Sequence, residues 1–334
     1  MIERMFSGPF VHNIDPVIGQ VGGLYLWWYG ASYSLDFFGA FLWFRRQRAS
    51  LGYDLGEVYD LVIMLSLGVL IGGRAVEVVF YEWSYYATHP WQIPAFWLGG
   101  MSTHGILLGA ALSALLFCKR NRKSFLALAD NLAVAGAFIM GIGRIGNFID
   151  GQIAGSVTSV WWAVKFPDLD GYRHPVVLYD GIKNLLLVPL LLLIQRGNPP
   201  PGVVFGNFVL WYGFLRIFVD FYREYRTDFF GLPPGQEFNV IMTFLGIGLI
   251  AYFSKRRGEP IVHQAAGSAA PGNPKPEPKP HLWPRRAALL ILLLFPLIIP
   301  SDWTQDVPNR YGKRHSGMTH SIIYPAIEQP HLGN

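Results

Sequence analysis

Long apolar runs alternate with short polar segments along most of this chain. The runs lie at about 24–44, 57–80, 94–118, 125–149, 176–194, 203–221 and 239–254. Most are close to the ~20 residues that an α-helix needs to cross the hydrocarbon core of a bilayer. Because a helix satisfies its own backbone hydrogen bonds in lipid, the pattern predicts an all-α integral membrane protein with seven transmembrane helices.

Composition and charge agree with this interpretation. Hydrophobic residues make up 51% of the 334 residues and charged residues only 15%, against about 25% in soluble domains. Basic clusters at 45–48, 119–123 and 255–257 follow the first, third and seventh runs. The positive-inside rule therefore predicts an N-terminus outside the cell membrane and an end of the seventh run in the cytoplasm. Since topology explains most of the net charge of +5, we predict no nucleic-acid binding.

The end of the chain has a different character. Residues 258–284 are rich in Pro, Ala and Gly and predict a disordered or polyproline-type cytoplasmic linker. The next apolar run, 287–300, fits either a short eighth span or a helix in the membrane interface. We favour the span, because Arg285 and Arg286 suit an inside start. The predicted units are a seven-helix membrane domain at 1–257, the linker at 258–284, and a short apolar segment with a polar tail at 285–334.

Arg144 is a permanent charge inside the fourth run. Charged residues within membrane segments usually face the interior of the bundle or a water-filled cavity. The residues three and four positions away on the same helix include no acid, so its partner must come from another helix or from a ligand. Asp130 and Asn131, near the other end of this run, are predicted to be solvated.

The predicted topology places further polar residues in the outer half of the membrane. Each has a structural alternative: Arg74 with Glu77 and Arg216 with Asp220 have the spacing of self-neutralising helical pairs. A buried core histidine and an interfacial tyrosine are the corresponding alternatives for His104 and Tyr29. The glycines at 141, 143 and 146 match G-x-G-x-x-G, but a dinucleotide site requires a preceding strand. We therefore predict no nucleotide cofactor here, and no other cofactor or metal site.

Six motifs along the seven runs resemble the prolipoprotein diacylglyceryl transferase family. The main one is GRIGNFIDGQIAG at 143–155, which is similar to the family pattern G-R-x-G-N-F-x-N-G-E-x-x-G. The other five motifs follow in the order that the family has: WYG at 28–30, GGR at 72–74, GGMSTHG at 99–105, RHP with LYD within 173–180, and YGFLRIFVDFYR at 212–223. The resemblance covers about 24–257 and leaves the tail outside it.

The resemblance implies a specific reaction. Such enzymes move the diacylglyceryl group of phosphatidylglycerol onto the cysteine thiol that follows a prolipoprotein signal sequence, and they release glycerol 1-phosphate. The implied partners are phosphatidylglycerol, the prolipoprotein signal-peptide region and membrane lipids. The implied location is the bacterial inner membrane, with the active site facing the periplasmic leaflet.

The resemblance also implies roles for individual residues. Arg144 and Asn147 would hold the phosphoglycerol, and Arg216 would stabilise the departing phosphate. His104 is the candidate to take the thiol proton, with Tyr29 assisting, while Arg223 would guide the headgroup inward. The implied substrate-binding set is Arg74, Gly99, Gly105, Asn147, Gly155, Asp180, Tyr212, Asp220 and Arg223.

The chain departs from the family pattern near the signature. Gln152 stands where the family has an acid, Asp150 where it has asparagine, and Ser156 where it has arginine. Losing an acid near Arg144 weakens any ion pair that positions it. Two alternatives to an active transferase therefore stay open: a divergent relative that binds anionic lipid or lipoprotein, and a transporter of an anionic solute.

Overall fold

A computed structural model of the chain describes residues 9–151, 153–167, 169–223, 234–255, 282–301 and 305–327. Within these residues the helices are α1 (Trp28–Leu51), α2 (Leu55–Val76), α3 (Trp83–Tyr86), α4 (Thr103–Asn121), α5 (Phe125–Asp150), α6 (Val176–Arg196), α7 (Val203–Asp220), α8 (Pro234–Lys255), α9 (Trp283–Leu294) and α10 (Val307–Tyr311). In the described part of the chain, five helical segments are long and apolar enough to cross a membrane: Leu55–Tyr81, Phe125–Asp150, Val176–Arg196, Val203–Asp220 and Gln236–Lys255. The protein is therefore a mainly helical, multi-pass membrane protein.

The first and third apolar runs also become helices, but they begin later than predicted. The first run starts as a strand, and α1 begins only at Trp28. In the third run, Pro94 and the positive φ angles of Gly99 and Gly100 interrupt helix formation. The helix α4 then begins after Ser102, whose hydroxyl accepts the N–H of Gly105 at 3.4 Å. This serine caps the helix that carries His104.

Within the described ranges, two small sheets add to the predicted all-α architecture. Strands β2 (Val17–Val21) and β3 (Leu24–Trp27) form an antiparallel hairpin. Its turn uses Gly22 and Gly23, both with positive φ, as a two-residue hairpin turn requires. Strands β1 (Phe10–Val11) and β4 (Val164–Lys165) pair in parallel. Strands β1, β2 and β4 lie outside the predicted transmembrane runs, whereas β3 forms the start of the first run.

Glycines bring α2 and α4 into backbone contact. A Cβ at Gly105 would collide with the carbonyl of Gly72, and one at Gly109 would collide with the carbonyl of Gly68. Small residues of this kind allow membrane helices to pack closely without side chains between them. Gly105, which the resemblance implies in substrate binding, thus lies at a contact between two helix backbones.

The expectation that Asp130 is solvated is wrong. Its side chain is 8% exposed, and its two carboxylate oxygens accept the N–H groups of Gly202 and Phe205, each at 2.8 Å. These N–H groups belong to the start of α7, where a helix leaves donors unpaired and favours negative charge. Asp130 therefore caps α7 from α5 and ties the two helices together. Asn131 is buried too, at 7% exposure.

The described part of the tail packs along the bundle. Arg285 pairs with Asp60 of α2 at 2.7 Å, and α9 continues into a 3-10 turn, Phe295–Ile298, that lies against Gly30 of α1. Residues 305–327 then cover the β2–β3 hairpin, with the rings of Trp27 and Tyr311 4.7 Å apart. The tail thus runs from the first turns of α2 to the beginning of α1. Most of the predicted linker lies outside the described residues, so the division into three units stays a prediction.

Candidate active site

Asp180 of α6 is the centre of a buried charged cluster. The Nε of Arg144 lies 2.7 Å from its carboxylate, the Nη1 of Arg216 lies 2.5 Å from it, and the Nζ of Lys183 lies 3.0 Å from it. Asp180 itself is 1% exposed. The sequence left two partners open for Arg144, another helix or a ligand, and the structure provides Asp180 from another helix.

A second carboxylate, Asp220 of α7, completes this cluster. It binds the Nε of Arg216 at 3.0 Å, accepts a hydrogen bond from Asn239 of α8 at 2.8 Å, and lies 3.8 Å from Arg223. The predicted Arg216–Asp220 pair exists, but Arg216 also bridges to Asp180. We call Arg144, Asp180, Lys183, Arg216, Asp220 and Arg223 the Arg144 cluster.

The Arg144 cluster keeps a net positive charge, because four cations share two carboxylates. Tyr212 adds no charge and places its ring 3.7 Å from the Nζ of Lys183, a cation–π contact. Buried charges are costly unless they are compensated. An anion that bound beside Arg144 and Arg216 would complete the compensation.

An apolar cavity of about 350 Å³ opens beside this cluster. Arg144 and Asn147 form part of its wall, and the Nη1 of Arg144 donates to the Oδ1 of Asn147 at 3.1 Å. Tyr29 also lines the cavity, with its hydroxyl 3.0 Å from that of Tyr33. The remaining wall is mostly aliphatic and aromatic. A pocket of this kind suits a ligand with a long apolar part and one anionic group.

Arg74 does not belong to the Arg144 cluster. It is 3% exposed, and its guanidinium donates to the backbone carbonyls of Gln92 at 2.9 Å and Ile93 at 2.8 Å. The carbonyls of Ala95, Gly99 and Gly100 accept from it as well. These bonds organise the irregular segment 92–100 that leads into α4. Arg74 therefore positions a loop, and Gly99 serves as one of its acceptors.

His104 lines a second pocket, of about 400 Å³, instead of the apolar cavity. Its Nδ1 lies 3.1 Å from the hydroxyl of Tyr81, and Glu77 and Glu82 share the pocket wall. Thr103 lines both spaces. The structure therefore places His104 in a polar pocket that adjoins the cavity of Arg144 and Tyr29.

The segment after the signature is held by backbone pairing. Gly155 donates to the carbonyl of His174 at 2.9 Å, and Ser156 donates to that of Tyr222 at 2.8 Å. A Cβ at Gly155 would meet the backbone of both partners, which explains the need for glycine. Gln152 lies outside the described residues.

His12 supports the end of α5 that carries the signature. Its Nε2 lies 2.7 Å from the carbonyl of Phe148, to which the neutral ring donates, and it stacks on Phe166 with ring centres 5.5 Å apart. Burial lowers the pKa of His12 below its usual value. Arg314 of the tail donates to the carbonyl of Asp150 at the same helix end.

Sequence reasoning missed three polar residues of this region. Lys183 joins Asp180, Tyr81 contacts His104, and Asp36 lines the apolar cavity. Asp36 did carry a signal, since it is an acid in the middle of the first apolar run. Lys183 carried a weaker one, as a lone cation in the fifth run. Nothing in the sequence connects Tyr81 with His104.

Comparisons with known proteins agree with these motifs. A profile of the prolipoprotein diacylglyceryl transferase family matches residues 16–252. The chain is similar to the phosphatidylglycerol–prolipoprotein diacylglyceryl transferase of Geobacter sulfurreducens, with 38% identity over 257 residues, 74% of this chain and 98% of the relative. The Aeromonas hydrophila enzyme of the same name is 36% identical over 73% of this chain and 92% of its own length. One from Pseudomonas putida is 38% identical over 74% and 98%. The chain belongs to the prolipoprotein diacylglyceryl transferase family.

Proposed function

We propose that this chain transfers the diacylglyceryl group of phosphatidylglycerol to the cysteine thiol of a prolipoprotein. The products are a thioether-linked diacylglyceryl prolipoprotein and glycerol 1-phosphate. The observation that carries the proposal is the net positive Arg144 cluster beside an apolar cavity. This pairing supports a ligand with acyl chains and one phosphodiester charge, and the names of the relatives give the same lipid.

In the proposed reaction, the thiol sulfur forms a bond to the glyceryl carbon that carries the phosphate. The C–O bond breaks, and its electron pair stays on the phosphate oxygen. Arg144, with Asn147, binds the phosphoglycerol, and Arg216 faces the charge that grows on the departing phosphate. Fixed guanidinium donors near such a charge stabilise the transition state more than the ground state.

His104 is the proposed acceptor of the thiol proton. A neutral imidazole suits proton abstraction near pH 7, and the neighbouring Tyr81 hydroxyl orients the ring. Since His104 and Arg144 line adjoining spaces, the prolipoprotein segment would enter through the polar pocket and the lipid through the apolar cavity. Tyr29 assists from the cavity side. Asp180, Asp220 and Tyr212 hold the arginines in place, and Arg223 attracts the headgroup.

For the topology, we propose seven spans with α9 as a short eighth and an N-terminus outside the inner membrane. The active site then faces the periplasmic leaflet. The distribution of basic residues supports this orientation. So does the course of the tail, which leaves Asp60 near one end of α2 and reaches Gly30 at the beginning of α1.

A reconstituted assay tests the proposed function. The purified full chain is mixed with phosphatidylglycerol vesicles and a prolipoprotein peptide, and glycerol phosphate release and thioether formation are measured. We expect both products from the wild type, and a loss of at least about a hundredfold for Arg144→Ala and His104→Ala. Arg46→Ala removes an exposed arginine and serves as the control. Wild-type protein without product would refute the transferase, and full activity of Arg144→Ala would refute this mechanism.

A further inference from the structure

Asp36 places a carboxyl group in the wall of the apolar cavity. It lies about two turns into α1, is 6% exposed, and lines the same space as Arg144 and Asn147. Among the described residues, no hydrogen bond or ion pair reaches this carboxyl, and its Oδ1 is buried without a partner. Buried polar groups are normally paired. A ligand that fills the cavity would supply the partner that this side chain lacks.

The packing of α1 on α5 fixes the depth of Asp36. The two helices run in opposite directions, so that Gly146 lies against Ser32 and Gly143 lies against Asp36. A Cβ at Gly143 would be 3.5 Å from the Oδ2 of Asp36. Arg144 is the next residue, and its guanidinium turns to Asp180 on α6. The carboxyl thus lies in the cavity wall close to the level of Arg144.

The groups of a phospholipid follow a fixed order in depth. The phosphate is joined to the glycerol, and the two ester groups on the same glycerol come before the acyl chains. A lipid whose phosphate binds at Arg144 therefore brings an ester carbonyl into the region of Asp36. An ester carbonyl can only accept hydrogen bonds. A neutral carboxylic acid can donate one, and an apolar wall favours the neutral form over a charge without a cation.

We infer that Asp36 donates a hydrogen bond to an ester carbonyl of the lipid substrate and selects diacyl over dialkyl lipids. This inference rests on the proposed function and adds a determinant of substrate class to it. Ser32 is a weaker candidate, because its hydroxyl already donates to the carbonyl of Tyr29 at 2.7 Å.

The test compares two lipids and two variants in the full chain. Dioleoyl phosphatidylglycerol and its dialkyl ether analogue are each supplied with the same prolipoprotein peptide. For the wild type we expect a KM about tenfold higher with the ether lipid, the size of one lost hydrogen bond. Asp36→Leu should raise the KM of the ester lipid to that of the ether lipid and leave kcat within about twofold. Asp36→Asn keeps a donor and should keep the preference.

Other outcomes would overturn the inference. A loss of kcat in Asp36→Asn with an unchanged KM would make Asp36 a proton acceptor. An equal loss with both lipids in Asp36→Leu would make it a packing residue, and a wild type without preference would leave it no selective role. Thermal stabilisation by each lipid, measured without peptide, reports the same preference without turnover. A wild type that binds the ester lipid preferentially but forms no product would refute the transferase and keep the assignment of Asp36.

Discussion

Two buried arginines in this protein, Arg74 and Arg144, have their charges compensated in different ways. Arg74 meets the carbonyls of segment 92–100, so neutral backbone dipoles satisfy its guanidinium. Arg144 meets Asp180, but it shares that carboxylate with Arg216 and Lys183. The first arrangement is complete within the protein and serves the fold. The second keeps a surplus of positive charge beside an open cavity and is suited to a ligand.

Replacing each arginine by lysine should separate these roles, and the largest effect is expected at Arg144. Lysine keeps the charge but loses the planar fork, which contacts the Asp180 carboxylate and which we propose binds the lipid phosphate. We expect Arg144→Lys to lower kcat/KM by at least about a hundredfold, with thermal unfolding in detergent close to that of the wild type. If Arg144→Lys unfolds at a much lower temperature but retains its specific activity, Arg144 stabilises the fold instead of binding a ligand.

Arg74→Lys should mainly lower stability. An ammonium group cannot reach the carbonyls that the guanidinium spans, and each buried carbonyl left without a donor costs about 1–3 kcal/mol. We expect the unfolding temperature to fall by about 5–10 °C. Thermal unfolding of the purified full chain measures this change, with Arg46→Lys as the control for an exposed site. An unchanged unfolding temperature would show that the carbonyl contacts add little.

The Asp180→Asn variant tests the same comparison by changing the carboxylate that Arg144 shares with Arg216 and Lys183. It removes a negative charge from among three cations, so the Arg144 cluster becomes more positive and less anchored. We expect activity to fall by about tenfold, because the neutral amide holds Arg144 and Arg216 in place less firmly than the carboxylate does. We also expect glycerol 1-phosphate to stabilise the variant more than the wild type, because an added anion replaces the lost charge. Asp60→Asn breaks the pair with Arg285 and is the matched control. Equal stabilisation of all three proteins by glycerol 1-phosphate would argue against an anion site beside Asp180.

The smallest effect concerns His12 and pH. Burial lowers its pKa in the folded state below the usual 6.5, so the unfolded chain takes up the proton first as the pH falls. The stability contribution of the neutral ring is thus fully present above about 6.5 and is lost as the pH falls through the lowered pKa. His12→Gln should flatten the unfolding temperature between pH 7 and 5. An equal pH dependence in both proteins would assign it to other groups.

The sequence predicted the helical body better than the polar contacts. Long continuous apolar runs identify membrane helices because a span must be apolar over about 20 residues to cross the bilayer. The need of Arg144 for a partner outside its own helix was also predictable, since no acid lies three or four positions from it, and Asp180 of α6 meets that need. The family resemblance also assigned Arg216 and Asp220 to the same site as Arg144.

Contacts between side chains and the backbone of distant loops or helix ends could not be predicted from the sequence pattern. The acceptors of Arg74 lie 18 to 26 residues away in a segment without periodicity. The capping of α7 by Asp130 joins residues 72 and 75 positions apart, so the acid looked like a solvated helix end. The position of His104 in a separate pocket depends on where α4 begins, which Gly99, Gly100 and Ser102 decide.

The docking of the tail has a consequence for biogenesis. The family match ends at residue 252, so every predicted site residue has been synthesised before the tail leaves the ribosome. At that moment Trp27 and Tyr25 still lack Tyr311 and Tyr324, which pack against them in the folded protein. The surface of α1 and α2 that α9 covers is likewise uncovered while the preceding helices insert and assemble. Of the described residues, 282–301 and 305–327 are therefore the last to reach their places in the bundle.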